Sequence, residues 1–387
     1  RSPSRGLGDV YKRQDYGCRP DIEAAYGDKL RPMDAFKDSA PAELVDCVGH
    51  DDLMVLMFTS GTTGRSKAVM LSERNFFTTV ECQVKFGDAM LDYKHKHMPE
   101  DKNDVLSNFA ILPLFHLGTF ICLFVWACKG WALNLSADIR DFYRDLGLMH
   151  SDAIAVAPML MEAIYKDVKR GRRARLNGIW NPCGSSAMFD GAMLAELAQQ
   201  GMMITQVYGM TETCGDGIIN YEQDEKHIRA VGKPDDHAEY KLDETGEICI
   251  RGGCVMLGYY KDPEATAEVL DADGWFHTGD LARVDEDGFY YITGRKKNII
   301  ILDNGENVSP EELENLLSKC EAVKECIVRE KGKKICAVIY CGEADQQTVR
   351  DFITETNRTL PLYKRMSAVE FSTEPLPRTG TGKLLRK

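Results

Sequence analysis

The sequence predicts an α/β fold: a large domain on a doubly wound, mostly parallel sheet with a small β-barrel, then a small mobile α+β domain. Three observations carry this. Short apolar runs alternate with glycine- or proline-punctuated loops and helix-patterned segments as far as about Gly215, the arrangement of a parallel sheet covered by helices. From there to Arg295 the chain is written in short strands, with Asp287-Gly288 as a hairpin signal between two of them. After Gly294-Arg295-Lys296-Lys297 a shorter α+β pattern begins.

Composition bounds the rest. A chain of 387 residues is too long for one ordinary core. A net charge of -12 argues against general nucleic-acid binding and leaves at most peripheral membrane contact. Thirteen cysteines contain no C-x-x-C pair and no zinc spacing, which reads as free thiols in a reducing cytoplasm. His95-Lys96-His97 reads as a solvated loop rather than a metal site.

Taken in order, residues 1–14 match nothing that follows and are left unassigned. Residues 15–295 are expected to form the large domain and 296–387 the small one. Residues 15–52 are polar, with Pro20, Pro32 and Pro41 spaced through them. The unbroken apolar run 53–58 predicts a strand buried on both faces. A helix is expected over 72–85 and a strand over 106–112. The apolar stretch 109–128 contains Pro113, His116 and Gly118, so it predicts a strand, a loop and a buried helix rather than a membrane span. A buried strand over 154–157 leads into a helix opened by Pro158. Lys169 to Arg175 holds five basic residues in seven, either a solvated face or a phosphate contact. Strands follow over 203–207, 247–251, 282–285 and 289–293. In the small domain, Ser309-Pro310-Glu311-Glu312 carries a helix start with a capping box. Strands over 325–329 and 334–341 and a helix over 346–358 complete it.

Chemistry concentrates in a few stretches. After the first apolar run comes Thr59-Ser60-Gly61-Thr62-Thr63-Gly64-Arg65-Ser66-Lys67. Glycines let backbone N–H groups approach a phosphate, hydroxyls add donors, and the lysine adds charge. The spacing is not that of a Walker A loop. Tyr208-Gly209-Met210-Thr211-Glu212 follows a predicted strand, where open α/β sheets bind ligands. Thr211 offers a phosphate donor and Glu212 an oxygen ligand for magnesium. Asp280, in Trp275-Phe276-His277-Thr278-Gly279-Asp280, offers two acceptor oxygens suited to a ribose diol, and Arg295 a fixed cationic fork. The chain closes on Pro377-Arg378-Thr379-Gly380-Thr381-Gly382-Lys383, a glycine-rich carrier for a lysine.

In this order, these stretches resemble the AMP-forming adenylating superfamily of acyl-CoA synthetases, luciferases and peptide-synthetase adenylation domains, from Phe58 to Lys387. The resemblance implies ATP, Mg2+ and coenzyme A. It places Thr59, Ser60, Gly61, Thr62, Thr63, Gly64 and Lys67 around pyrophosphate. Gly184, Ser185 and Ser186 fall on the adenine side, with Tyr208 packing on the base beside Gly209. Thr211 would contact the α-phosphate, Glu212 would ligate magnesium, and Asp280 and Arg295 would hold the ribose. Lys297 falls at the hinge, Lys383 at the catalytic lysine, and Gly305 in the thiol channel. Two positions depart from the pattern: Gly184-Ser185-Ser186-Ala187 stands where G-G-A-P is usual, and Ser66 where proline is common. Family members carry well over a hundred residues before the phosphate loop, so the chain is expected to lack the start of its large domain.

The implied chemistry is attack of a carboxylate on the α-phosphate of ATP, loss of pyrophosphate, and transfer of the acyl group to a thiol after the small domain rotates. Pro113-Leu114-Phe115-His116-Leu117-Gly118 resembles the P-L-F-H-x-x-G stretch of acyl-CoA synthetases, with His116 a candidate catalytic residue. No acidic residue lies between Asn108 and Gly130 to receive a substrate amine. A pocket walled by Phe109, Leu114, Phe120 and Ile121 then suits an uncharged chain, a fatty acid first and an aryl or short-chain acid second. Transfer to a carrier-protein thiol instead of coenzyme A, or a pure binding module, stay open. Retention of Glu212, Asp280, Arg295 and Lys383 together speaks against the last.

Overall fold

A computed structural model describes residues 49–59, 67–136, 138–185, 189–215, 217–302, 306–332, 334–378 and 384–385. The first apolar run forms β1 (Leu53–Thr59), and the chain returns opposite it as β2 (Lys67–Ser72), with Thr59 paired to Lys67. The expectation of burial on both faces does not hold. Leu53, Met54 and Phe58 are exposed, and only Met57 is fully buried. Among the described strands β1 pairs with β2 alone, whereas an interior parallel strand has a neighbour on each side.

Ser72 caps α1 (Glu73–His97) in a reciprocal box: its Oγ accepts from the Asn75 N–H at 3.3 Å, and Asn75 Oδ1 accepts from the Ser72 N–H at 2.8 Å. The helix runs well past the expected span, so His95-Lys96-His97 close a helix rather than sit in a loop. Gly87 disguises that continuation, because glycine inside a helical pattern reads as a breaker. Its reason is packing, since a Cβ there would lie 3.2 Å from the Trp131 ring.

The central sheet follows: β3 (Ser107–Ala110), α2 (Leu117–Cys128), β4 (Ala132–Leu135), α3 (Phe142–Leu146), β5 (Ala153–Val156), α4 (Pro158–Lys169), β6 (Asn181–Ser185), α5 (Gly191–Gln199), β7 (Thr205–Gly209) and β8 (Gly217–Asn220). Its order is β4-β3-β5-β6-β7-β8, parallel except for the β7–β8 pair. Adjacent strand residues face opposite sides. Ala153 accordingly packs with Phe76, Ile121 and Trp126, and Ile154 with Phe109, Phe142 and Leu160. The 109–128 stretch is the end of a strand, a break and a buried helix, and no described helix is long and apolar enough to cross a membrane. The basic run is largely tied down: Lys169 pairs with Glu196, Arg173 donates to the Gln200 carbonyl, and Arg175 bonds Asp167 at 3.0 Å over the Tyr143 ring.

The winding reverses at β3, which has β4 on one side and β5 on the other. Loops leaving the carboxyl ends of β3, β5, β6 and β7 therefore share the edge where such sheets bind ligands.

Next come β9 (Ala238–Leu242), β10 (Glu247–Gly252), β11 (Gly258–Tyr259), α6 (Pro263–Ala267), β12 (Phe276–Val284) and β13 (Tyr290–Arg295). The short β11 joins the β1–β2 hairpin. The others form a four-stranded antiparallel sheet ordered β13-β12-β10-β9 where the sequence suggested a small barrel. Asp285 Oδ1 accepts from the N–H groups of Asp287 and Phe289 and fixes the expected hairpin turn. Both hairpin strands exceed their expected spans, which puts Asp280 and Arg295 inside strands.

The last section holds β14 (Ile300–Ile301), β15 (Asn307–Val308), α7 (Pro310–Leu317), β16 (Glu325–Lys331), β17 (Lys334–Tyr340), α8 (Gln346–Thr359) and β18 (Ala368–Ser372). Val308, Leu313, Leu317, Val328, Ile339, Val349 and Ile353 make its own apolar core. Ser309 Oγ accepts from the Glu312 N–H at 3.4 Å. The expected box is only half made, because the Glu312 carboxylate holds Lys364 instead. The strand β18, which the sequence reading did not foresee, pairs parallel to β17.

Candidate active site

Three remote stretches meet at Asp280. Register sets Asp280 on β12 opposite Arg295 on β13, and Arg295 Nε lies 2.7 Å from Asp280 Oδ1. The Tyr208 hydroxyl, near the end of β7, donates to Asp280 Oδ2 at 3.1 Å. Asp280 is only 5% exposed, so its charge depends on this pairing. Burial first, then the Asp280 charge, pushes the Tyr208 phenol far above its usual range, which keeps it a donor. Tyr208 reaches this place because β7 is pressed onto β8 at Gly217, where a Cβ would stand 1.9 Å from the Tyr208 carbonyl oxygen. Only glycine fits.

A second cluster forms around Glu212. A 3-10 turn, Thr211–Thr213, follows β7. It is held by the Met210 N–H donating to Thr213 Oγ1 at 3.3 Å and by the left-handed Cys214 at φ 55°. Glu212 Oε1 accepts from the Tyr259 hydroxyl at 2.9 Å, and the Glu212 carbonyl accepts from the Met256 N–H at 2.9 Å. Glu212 Oε2 has no hydrogen bond among the described residues. A carboxylate oxygen left in that state, beside a half-buried threonine, suits a hard divalent cation such as magnesium. The Lys67 ammonium sits 4.4 Å from the centre of the Tyr259 ring, and Thr59 Oγ1 reaches the Lys67 carbonyl at 3.5 Å. The ends of the glycine/threonine loop and the magnesium candidate thus meet at one tyrosine, Lys67 over its ring and Glu212 at its hydroxyl.

The two clusters are joined along the chain, since Glu212 stands four residues past Tyr208. Gly184 and Ser185 end β6 beside them, with Gly184 paired to Gln206 and Ser185 to Val207, just before Tyr208 and Gly209. Gly184 packs closely, since a Cβ there would come 2.5 Å from the Phe189 ring and the ring would have to turn aside.

His116 lies at the switch point between β3 and β5. It precedes α2, donates its N–H to the Pro113 carbonyl at 2.9 Å, and is exposed. The four residues expected to wall one pocket are divided: Phe109 is buried in one cluster, Ile121 in the other, Phe120 is half-buried against the second, and Leu114 is exposed. The β3 periodicity explains this, since Phe109 faces the α3 and α4 side. Cavities of about 240 and 180 Å³ lie elsewhere, one beside Tyr143 and Arg175 and one beside Cys82 and Phe289.

Lys297 is exposed in the turn Lys296–Asn298. Its neighbour Lys296 donates to the buried Glu247 Oε2 at 2.7 Å, and Glu247 Oε1 takes the Gly279 N–H at 2.7 Å. Neither Glu247 nor Tyr259 was singled out from sequence. Their motifs, Gly246-Glu247 and Gly258-Tyr259-Tyr260, are too short to signal chemistry. Ser60, Gly61, Thr62, Thr63, Gly64, Ser186, Gly305 and Lys383 lie outside the described residues.

A family model described as AMP-binding enzyme matches residues 13–260, and one described as AMP-binding enzyme C-terminal domain matches 312–383. The chain is 30% identical to 4-coumarate--CoA ligase 3 of Oryza sativa subsp. japonica, covering 91% of this chain and 66% of that one. It is 31% identical to a long-chain-fatty-acid--CoA ligase of Salmonella typhimurium, covering 87% and 61%. A feruloyl-CoA synthase of Amycolatopsis sp is 32% identical, covering 94% and 74%. The chain thus spans just under two thirds of the first two relatives. Among solved structures, o-succinylbenzoate coenzyme A synthetase (MenE) of Bacillus subtilis with ATP and magnesium has a TM-score of 0.73 at 25% identity, covering 91% of this chain and 73% of that one. ATP-bound MatB of Rhodopseudomonas palustris shares the fold with a TM-score of 0.74 at 24% identity, covering 91% and 70%.

Proposed function

We propose that this chain, which belongs to the AMP-binding enzyme family, activates a carboxylic acid with ATP to an acyl-adenylate, releasing pyrophosphate, and then forms a thioester with coenzyme A. The observation that carries the reading is the line of contacts Lys67–Tyr259–Glu212, continued through the Tyr208 strand end to Asp280 and Arg295. It sets a lysine, a carboxylate with one oxygen unbonded among the described residues, and a carboxylate–guanidinium pair around the carboxyl end of β7.

In this reading Asp280 and Arg295 hold the ribose, since each carboxylate oxygen accepts more than one hydrogen bond. Tyr208 packs on the base, with Gly184, Ser185 and Ser186 alongside. Thr211 donates to the α-phosphate, and Lys67 with the 59–64 loop holds the departing pyrophosphate. Magnesium, held by Glu212, would offset charge on the phosphate oxygens. Lys383 bridges carboxylate and phosphate as the new bond forms. Residues 296–387 then turn about Lys297 and bring Gly305 to the thiol path.

The acid in this proposal is one with an uncharged chain, and a fatty acid is our first choice. The support is the 108–130 segment without an acidic residue and a flank, 298–314, that resembles long-chain acyl-CoA ligases. Relatives named for 4-coumarate and feruloyl substrates are equally similar, which makes aryl acids the competing arm of the test. The test is ATP–pyrophosphate exchange by the complete gene product with fatty, aryl and amino acids, followed by coenzyme A against a carrier protein. Fastest exchange with a fatty acid and product only with coenzyme A are expected. Fastest exchange with an amino acid would overturn the substrate class, and exclusive use of the carrier protein would overturn the acceptor.

A further inference from the structure

Tyr259 sits in a strand of two residues, yet it is fixed from every side. Its pairing partner is Val69 of β2, and the flanking Leu257 and Tyr260 N–H groups donate to Met70 and Ala68 carbonyls at 3.0 and 2.8 Å. Its own N–H donates to Thr266 Oγ1 at 2.9 Å, and that hydroxyl donates on to the Asp262 carbonyl at 2.8 Å. The side chain is 6% exposed. One end of it, the hydroxyl, bonds Glu212 Oε1, and its face receives the Lys67 ammonium.

We propose that Tyr259 is a positioning residue that aims the Glu212 carboxylate and the Lys67 ammonium at one magnesium-bound polyphosphate. The inference rests on the assignment of Glu212 as the magnesium ligand. The hydroxyl occupies one carboxylate oxygen and thereby restrains the group, while the other oxygen has no hydrogen bond among the described residues. The electron-rich ring face holds an ammonium without neutralising it, so Lys67 keeps its full charge for phosphate oxygens. An acidic partner in place of the ring would cancel that charge.

Calorimetric titration of the complete protein with ATP, with and without Mg2+, tests this without turnover. Mn2+ binding followed by electron paramagnetic resonance gives a second readout. Tyr259→Phe keeps the ring and loses the hydroxyl. It is expected to bind metal-free ATP like the native protein, while the enhancement of binding by Mg2+ falls about tenfold, the scale of one hydrogen bond to a charged group. Glu212→Gln serves as the control for the underlying assignment. If Glu212→Gln leaves the enhancement intact, Glu212 is not the metal ligand and the reading beneath the inference fails. If Glu212→Gln abolishes it and Tyr259→Phe matches the native protein, the hydroxyl is only a satisfied buried donor and the inference is overturned. Should Tyr259→Phe not fold, Tyr259→Gln and Tyr259→Leu replace it: the variant that still donates keeps the larger enhancement, and equal loss overturns the proposal.

Discussion

Asp280 and Arg295 stand directly opposite each other on adjacent antiparallel strands, with the guanidinium Nε 2.7 Å from the carboxylate. The aspartate is almost fully buried and the arginine is 41% exposed. The asymmetry matters. Arg295 reaches solvent on one side while neutralising a charge that solvent does not reach.

Removing the arginine therefore takes the guanidinium away from a buried carboxylate. Arg295→Ala is expected to lower stability by about 3 kcal/mol, the range for breaking one side of a buried pair. Asp280→Asn in the same chain should restore most of it, because the buried charge that Arg295 faced is then neutral. Urea denaturation of the two single variants and the double variant gives the coupling. Additive losses would mean the two groups do not depend on each other.

Glu247, Asp243 and Lys296 form a second charged group where β13 leaves the four-stranded sheet. Burial works against the Asp243 charge, but the Thr245 hydroxyl, the N–H groups of Glu247 and Thr245, and Lys296 outweigh it and hold its pKa at about 2, below the ordinary 3.8. A carboxylate depressed in the folded state stabilises the fold above its unfolded value and stops doing so as pH falls through the folded one. Asp243→Asn should therefore flatten the loss of stability between about pH 4 and 2, a difference of about 2 kcal/mol across that window. Guanidinium melts at pH 5, 4, 3 and 2 read it directly. An unchanged acid slope in the variant would remove Asp243 from the account.

Gly217 offers a test of how the nucleotide-side strand is held. Alanine there would bring its Cβ against the Tyr208 carbonyl, which is backbone and has no rotamer to give. Gly217→Ala is expected to cost about 3 kcal/mol or more, as overpacking against a fixed neighbour does. It should also weaken ATP binding, because Tyr208 and Asp280 part together. A variant with native stability and native ATP affinity would show that β7 and β8 adjust freely.

Much of this site was legible because its residues lie in continuous stretches. Thr211-Glu212 after a strand, and Asp280 and Arg295 in their glycine-marked runs, are weak signs alone and became candidates through the order in which their motifs occur. Tyr259 could not be read this way, since its meaning is a hydrogen bond to a residue 47 positions away. The same holds for Glu247, whose partners Gly279 and Lys296 are 32 and 49 positions off. A continuous apolar run was a sound sign of burial in β5 and a misleading one in β1, which has β2 as its one partner among the described strands. Apolar content reports affinity for a core, not whether a neighbour is present. Phe109 and Ile121 failed as one pocket for a related reason. Strand and helix residues close in sequence were assigned to one wall, although the sheet stands between them.

The last prediction concerns Lys383 in the complete protein. Its segment begins from an anchored base: Arg378 donates to Glu325 Oε1 at 2.7 Å, Leu376 donates its N–H to Oε2 at 2.6 Å, and Arg378 pairs with Leu384. Gly380 and Gly382 flank the lysine closely in sequence. In the proposed reaction its ammonium meets carboxylate and phosphate oxygens as charge develops on them, a contact worth about 3–4 kcal/mol in the transition state by analogy with other lost donors. Lys383→Ala should then slow adenylate formation by about two to three orders of magnitude. Thioester formation from supplied acyl-adenylate and coenzyme A should hardly change, because in that step residues 296–387 have turned and taken the lysine away. Single-turnover measurements of each half-reaction separate the two. Equal loss of both in a folded variant would sink the two-pose mechanism, and loss of neither would remove Lys383 from catalysis.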